Sequence, residues 1–232
     1  MIQLVALDAD DTLWHNEPLY RGTERQFREL LAKYEAPDEI EQRLYETERR
    51  NLEHFGYGVK GFTLSMIETA IELTEGRVTS ADIQTLVTWG RTMLASPVEL
   101  LDGVRETVEA LAQEFPLILL TKGDLLHQES KLARSGLGDY FKGVEIVSEK
   151  DPVVYRRVMR RYGVEPAGFV MVGNSLKSDV LPVVEAGGHA VYVPYEICWV
   201  HERVEPSALD GKQFHEITRI GDLLALLRRL AG

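Results

Sequence analysis

Four short apolar runs constrain this chain more than any other feature: Leu4-Val5-Ala6-Leu7, Leu117-Ile118-Leu119-Leu120, Val144-Glu145-Ile146-Val147 and Phe169-Val170-Met171-Val172. Each has the length of a strand, and three of them are continuously apolar rather than alternating. That pattern belongs to strands covered on both faces, as in a parallel sheet. Helical stripes separate them after Pro97, through Val104, Val108 and Leu111, then Leu125, Leu126 and Leu132, then Val154, Tyr155, Val158 and Met159. Alternating strand and helix predicts an α/β fold, a Rossmann-like and mainly parallel sheet with helices on both faces. Ala190 to Val193 reads as a last short strand, and Leu223 to Leu230 as a closing amphipathic helix. The segment from about 195 to 213 fits neither period.

Each run discharges into polar residues: Asp8-Ala9-Asp10-Asp11-Thr12, Thr121-Lys122-Gly123, Lys150 just beyond its strand, and Gly173-Asn174 through Asp179. Parallel strands in one sheet end on one edge, and ligands bind in the crevice beyond it. Residues far apart in sequence can therefore share one site. Asp8 and Asp10 point to the same side of an extended segment, and two close carboxylates call for a cation or a shared proton. Local helix signals sharpen the outline. Thr79 to Asp82 reads as a capping box, Asp151-Pro152 as an N-cap with proline at the first helical position, Asp102 as the cap of the helix through Val104, and Gly136 as a helix stop.

Between residues 17 and 96 strand-like runs vanish. Helical spacing runs through Phe27, Leu30 and Leu31, then Ile40 and Leu44, then Phe62, Met66 and Ala70, then Ile83, Leu86 and Leu94. Four helices with short connections predict an antiparallel four-helix bundle inserted as an α-helical cap domain. The core is accordingly 1–16 with 97–232, and the cap 17–96. Within the cap, Gly56-Tyr57-Gly58-Val59-Lys60-Gly61-Phe62 combines three glycines with aromatic surface and one cation. It reads as a helix-to-helix turn that can also carry specificity, with Lys60 contacting the unreactive part of a substrate.

The 232 residues carry a formal net charge of −11, which argues against nonspecific binding to nucleic acid or to an anionic membrane. A small phosphorylated molecule stays compatible, because a metal or local cations reverse the field at one site. A single cysteine, Cys198, forms no intramolecular disulfide and reads as a small, partly buried residue, which suits a cytoplasmic protein. No basic leader precedes the first strand, and no apolar run reaches membrane-spanning length.

Taken in order, Asp8-x-Asp10-x-Thr12, Thr121, Lys150 and Gly173-Asn174-x-x-x-x-Asp179 resemble the motifs of the haloacid dehalogenase-like hydrolase superfamily, phosphatase type, with a helical cap after the first core strand. The resemblance covers the whole chain. It implies a Mg²⁺-dependent phosphohydrolase of small phosphomonoesters. Asp8 would be nucleophile and metal ligand, and Asp10 general acid/base with its main-chain carbonyl on the metal. Thr121 would hold the phosphoryl group, Lys150 would balance charge, and Asn174 and Asp179 would complete the metal cluster. Thr12, Lys122, Gly123 and Lys60 are assigned to substrate contact. The family commonly has Asp where this chain has Asn174, so the metal cluster carries one negative charge fewer. The expected partner is a small phosphorylated metabolite, with no nucleic acid or membrane, and the chain a monomer or homodimer. The rival readings are a 2-haloacid dehalogenase-type hydrolase, which would not need Asp10, and a receiver-like or degenerate phosphate-binding module.

Overall fold

The computed structural model describes residues 1–197 and 199–231, so Cys198 lies outside the described residues. The chain divides into two compact units: Met1–Glu17 with Val98–Lys122 and Gln128–Gly232, and Pro18–Pro97 with Gly123–His127.

In the first unit the apolar runs become strands β1 (Leu4–Leu7), β2 (Leu117–Lys122), β3 (Gly143–Val147) and β4 (Phe169–Gly173). They are joined by β5 (His189–Tyr192) and by β6 (His215–Glu216), a short edge strand with no signature of its own in the sequence. Among the described residues these form one sheet in the order β3-β2-β1-β4-β5-β6, with every pairing parallel. Central strands buried on both faces explain the unbroken apolar runs. Along β1, Val5 and Leu7 pack into one core, with Leu117, Leu119, Val170 and Val172, while Leu4 and Ala6 pack into the other, with Ile118, Leu120, Phe169 and Met171.

The helices follow in chain order. α1 (Glu17–Leu31), α2 (Pro37–Phe55), α3 (Val59–Leu73) and α4 (Ser80–Ala95) make up most of the second unit. They close around Phe27, Leu31, Ile40, Leu44, Phe62, Met66, Leu86 and Met93. The Thr79–Asp82 capping box forms at the start of α4. α5 (Val104–Glu114), α6 (Leu125–Ser135), α7 (Pro152–Tyr162), α8 (Leu181–Glu185) and α9 (Leu223–Ala231) complete the set. α5 and α9 cover the first core with Val104, Val108, Leu111, Leu223 and Leu227, while α7 and α8 cover the second with Tyr155, Val158, Met159 and Val183.

Two local expectations are corrected. α5 is capped not by the Asp102 side chain but by Gly103, whose left-handed conformation (φ 75°) starts the helix without a side-chain bond; glycine takes that conformation at no steric cost. On α6, Leu125 and Leu126 are exposed, and the buried face is instead Gln128, Lys131 and Leu132. Asp151 does cap α7, its carboxylate accepting from Val154 N at 2.7 Å with Pro152 at the first position.

Candidate active site

The order of the sheet reverses direction at β1, which has β2 on one side and β4 on the other. Such a switch point is where the crevice opens in a sheet of this kind. Asp8 stands there, one residue past β1, its backbone N–H still bonded to Val172 O at 2.9 Å. The chain then turns tightly: Leu13 N bonds Ala9 O at 2.8 Å and Asp11 N bonds Trp14 O at 2.7 Å. Asp11 sits in the left-handed region at φ 59°, which Asp and Asn tolerate better than most residues. The turn brings Thr12 back over Asp8. Its hydroxyl donates to Asp8 Oδ2 at 3.0 Å and approaches Asn174 Oδ1 at 3.2 Å, while Asn174 N donates to Thr12 Oγ1 at 3.1 Å.

Lys150 arrives from beyond β3. Its ammonium donates to Asp8 Oδ1 at 2.5 Å and to Asp179 Oδ1 at 2.7 Å, with all three residues buried. Asp179 lies in a single wide turn of π-helix, Leu176–Val180, and its other oxygen accepts from Ser175 N at 3.0 Å. Gly173 makes room for this carboxylate, since a Cβ there would collide with it. Burial pushes the Asp179 pKa up to about 7, with Lys150 opposing and Asp8 reinforcing the rise. Burial also works against the Lys150 ammonium, but Asp179 and Asp8 outweigh it and raise its pKa above the ordinary value.

Asp10 points elsewhere. Its Oδ1 accepts from Lys131 Nζ at 2.5 Å and Trp14 Nε1 at 2.7 Å, and its Oδ2 from Gln128 Nε2 at 2.9 Å. Burial alone would raise its pKa, but the Lys131 charge and these three hydrogen bonds carry it below the usual value. Gln128 and Lys131 lie three apart on α6, and so share one face.

Of the residues singled out from sequence, Asp8, Thr12, Lys150, Asn174 and Asp179 form one bonded cluster, and Asp10 shares the loop. Thr121, next to last on β2, is buried, its hydroxyl 3.4 Å from Lys122 O. Lys122 belongs to a different set of partners, Glu202, Ser178 and Glu149. Gly123 and Lys60 belong to the second unit, where Lys60 pairs with Asp124 at 2.9 Å. Lys131, Gln128 and Glu202 carried no recognised motif. Their one signal was polar residues on a helix next to a polar strand end, and a glutamate in an unplaced segment.

Among the described residues no three His, Cys, Asp or Glu side chains converge to hold a metal. The oxygen donors present are of the kind Mg²⁺ accepts: two carboxylates (Asp8, Asp179), an amide oxygen (Asn174) and main-chain carbonyls. Two buried carboxylates share one ammonium, so the cluster gains from a further positive charge, and the donor set fits a hard divalent cation.

A family model described as haloacid dehalogenase-like hydrolase matches residues 2–187. The chain belongs to that family, and it is an enzyme of the hydrolase class. It is similar to a glyceraldehyde 3-phosphate phosphatase of Methanopyrus kandleri, 26% identical over 238 residues that span all of this chain and 99% of the relative. A phosphatase of the same name from Methanothermobacter thermautotrophicus is 28% identical, but the match spans only half of this chain and 54% of that relative. Mouse N-acylneuraminate-9-phosphatase is 29% identical over 52% of this chain and 51% of its own length. Among solved structures, a haloacid dehalogenase-like family hydrolase from Xanthomonas campestris superposes with a TM-score of 0.88 at 47% identity, over 99% of this chain and 91% of that one. No helix among the described residues is long and apolar enough to cross a membrane.

Proposed function

We propose that the chain is a Mg²⁺-dependent phosphohydrolase that acts on a small phosphomonoester through an aspartyl-phosphate on Asp8. The observation that carries this is the buried Asp8–Lys150–Asp179 cluster, bonded through Thr12 to Asn174, at the sheet's switch point. Asp8 attacks phosphorus, the bond from phosphorus to the ester oxygen breaks, and Asp10, protonated in the substrate complex in place of one of its present hydrogen bonds, supplies the proton taken by the departing alcohol. Water then attacks phosphorus, Asp10 receives its proton, and the bond to Asp8 breaks to release phosphate. Thr121 and backbone N–H groups hold phosphoryl oxygens, and Lys150 offsets the accumulating negative charge.

Asp8, Asp179, Asn174 and the Asp10 carbonyl would hold Mg²⁺, which when bound neutralises charge between the phosphoryl group and Asp8. Names of the relatives support a phosphorylated metabolite as substrate. The inserted helices would act as a cap, and the chain would work in the cytoplasm as a monomer or homodimer. A solved 2-haloacid dehalogenase from Pseudomonas syringae, 25% identical with a TM-score of 0.62, keeps the rival chemistry testable.

Purified protein should hydrolyse p-nitrophenyl phosphate with Mg²⁺ and lose that activity in EDTA. Asp8→Asn should abolish turnover while leaving the circular dichroism spectrum unchanged. Halide release from 2-chloropropionate without any phosphatase activity would overturn the reading in favour of dehalogenation.

A further inference from the structure

The Lys122 ammonium, which sequence assigns to substrate, already holds an anion supplied by the chain itself. Glu202, in a short turn at Val200–Glu202, places Oε1 2.6 Å from Lys122 Nζ. Its Oε2 accepts from Ser178 Oγ at 2.6 Å and from Ser175 Oγ. Lys122 is also 2.9 Å from Ser178 Oγ and 3.3 Å from Glu149. Only 12% and 11% of the Lys122 and Glu202 side chains remain exposed, so the pair is largely withdrawn from solvent. One ammonium and two hydroxyls converging on a carboxylate are the recognition set a protein offers to a ligand's carboxylate.

The location gives this arrangement a consequence. Lys122 follows Thr121 on β2, Ser175 follows Asn174, and Ser178 precedes Asp179. β1 lies between β2 and β4, with neighbouring strands about 4.8 Å apart. The bonds from Lys122 to Ser178 and Glu202 therefore span the mouth of β1, beyond which Asp8 stands.

Resting on the phosphatase reading above, we infer that Glu202 is a specificity residue: it fills an anion seat formed by Lys122, Ser175 and Ser178 beside the reacting centre. Phosphate esters with a carboxylate next to the ester are thereby excluded in favour of neutral alcohols. An incoming carboxylate meets a cation already neutralised and two hydroxyls already donating, so it gains no charge pairing and faces the Glu202 charge at close range.

The test compares kcat/KM for 2-hydroxyethyl phosphate, whose alcohol is neutral, with that for phosphoglycolate, which carries a carboxylate at the same distance. The wild type should favour hydroxyethyl phosphate at least tenfold. E202Q, nearly isosteric, should move the ratio tenfold or more towards phosphoglycolate through KM for that ester, and K122M/E202Q should cancel the gain. A wild-type preference for phosphoglycolate would overturn the inference, and so would a ratio unmoved by E202Q or a gain that survives the loss of Lys122. The wild-type ratio decides alone should E202Q not fold. p-Nitrophenyl phosphate separates the two levels: turnover with an unmoved ratio defeats the role of Glu202 only, whereas no turnover defeats the phosphatase reading and this inference with it.

Discussion

The Lys131 ammonium lies 2.5 Å from Asp10 Oδ1, as the Lys150 ammonium lies 2.5 Å from Asp8 Oδ1. The two aspartates thus have separate cationic partners although only one residue separates them. In the proposed reaction Asp10 must be aimed at the leaving oxygen, and Lys131, Gln128 and Trp14 fix its carboxylate at both oxygens. Lys131→Met should therefore lower kcat most where the leaving group needs a proton. We expect a loss of roughly 10²-fold for an alkyl phosphate, and a much smaller loss for p-nitrophenyl phosphate, whose leaving group is stable as an anion. Steady-state kinetics across a leaving-group series checks this, and equal losses along the series would remove Lys131 from the positioning of Asp10.

Asp11 gives a pH signature in stability. Its carboxylate accepts from the backbone N–H groups of Asn16 (2.8 Å) and Glu17 (3.1 Å). Burial nevertheless pushes its pKa up to about 7, with the Asp10 and Asp8 charges adding to the rise. A carboxyl whose pKa is raised on folding favours the native state when protonated. Its contribution is complete below the unfolded value of about 4 and is lost as pH climbs towards 7. Asp11→Asn removes the charge, keeps an acceptor for both N–H groups and tolerates the left-handed backbone. In EDTA the variant should melt a few degrees above wild type at pH 8, with the gap clearly smaller at pH 5. Parallel melting curves at both pH values would contradict this account.

Much of this fold was legible because burial on two faces writes itself into consecutive residues. Leu4–Leu7, Leu117–Leu120 and Phe169–Val172 needed no partner to be recognised. The meeting of these segments was legible for a related reason: each strand delivers its polar end to one edge, so the stretches carrying Asp8, Lys150 and Asp179 could be grouped from topology, while the choice of Asp179 within its stretch rested on the family resemblance. What escaped was whatever depends on a partner distant in sequence. Lys131 and Gln128 are buried because they serve Asp10, so their helix shows polar residues on its inner face while Leu125 and Leu126 stay exposed. Amphipathic reasoning inverts such a helix. Glu202 escaped because a short turn between strands has no period, and its burial against Lys122 is visible only in three dimensions. β6, two residues long, is a strand only by virtue of its pairing with β5.

Gly173 carries a steric prediction. Its φ is ordinary, yet a Cβ would run into the Asp179 carboxylate from several atoms. Gly173→Ala should push Asp179 away from Lys150 and from Ser175 N, breaking a buried ion pair at one end. Leaving a buried charge uncompensated costs about 3–5 kcal/mol. Urea unfolding should therefore show a lowered midpoint with unchanged m, and the Mg²⁺ concentration for half-maximal activity should rise at least tenfold. A variant as stable as wild type with the same Mg²⁺ requirement would separate Asp179 from the metal.

Lys60 remains the proposed reader of the unreactive end of the substrate, and its pairing supplies the control. Its ammonium bonds Asp124 Oδ2 at 2.9 Å, while Asp124 Oδ1 accepts from His127 N at 3.0 Å at the start of α6. More than half of the Lys60 side chain is exposed, and exposed ion pairs contribute little to stability. Lys60→Ala should accordingly leave the melting temperature almost unchanged. If Lys60 contacts substrate, the same change should raise KM several-fold for some phosphomonoesters in a panel and not for others, with kcat little affected. Asp124→Asn keeps the acceptor for His127 N and releases the Lys60 charge, so it should lower KM for the esters that Lys60→Ala penalises. Opposite movements of KM on the same esters would identify substrate contact. A KM indifferent to both changes across the panel would reduce Lys60 to a partner of Asp124 within its own unit.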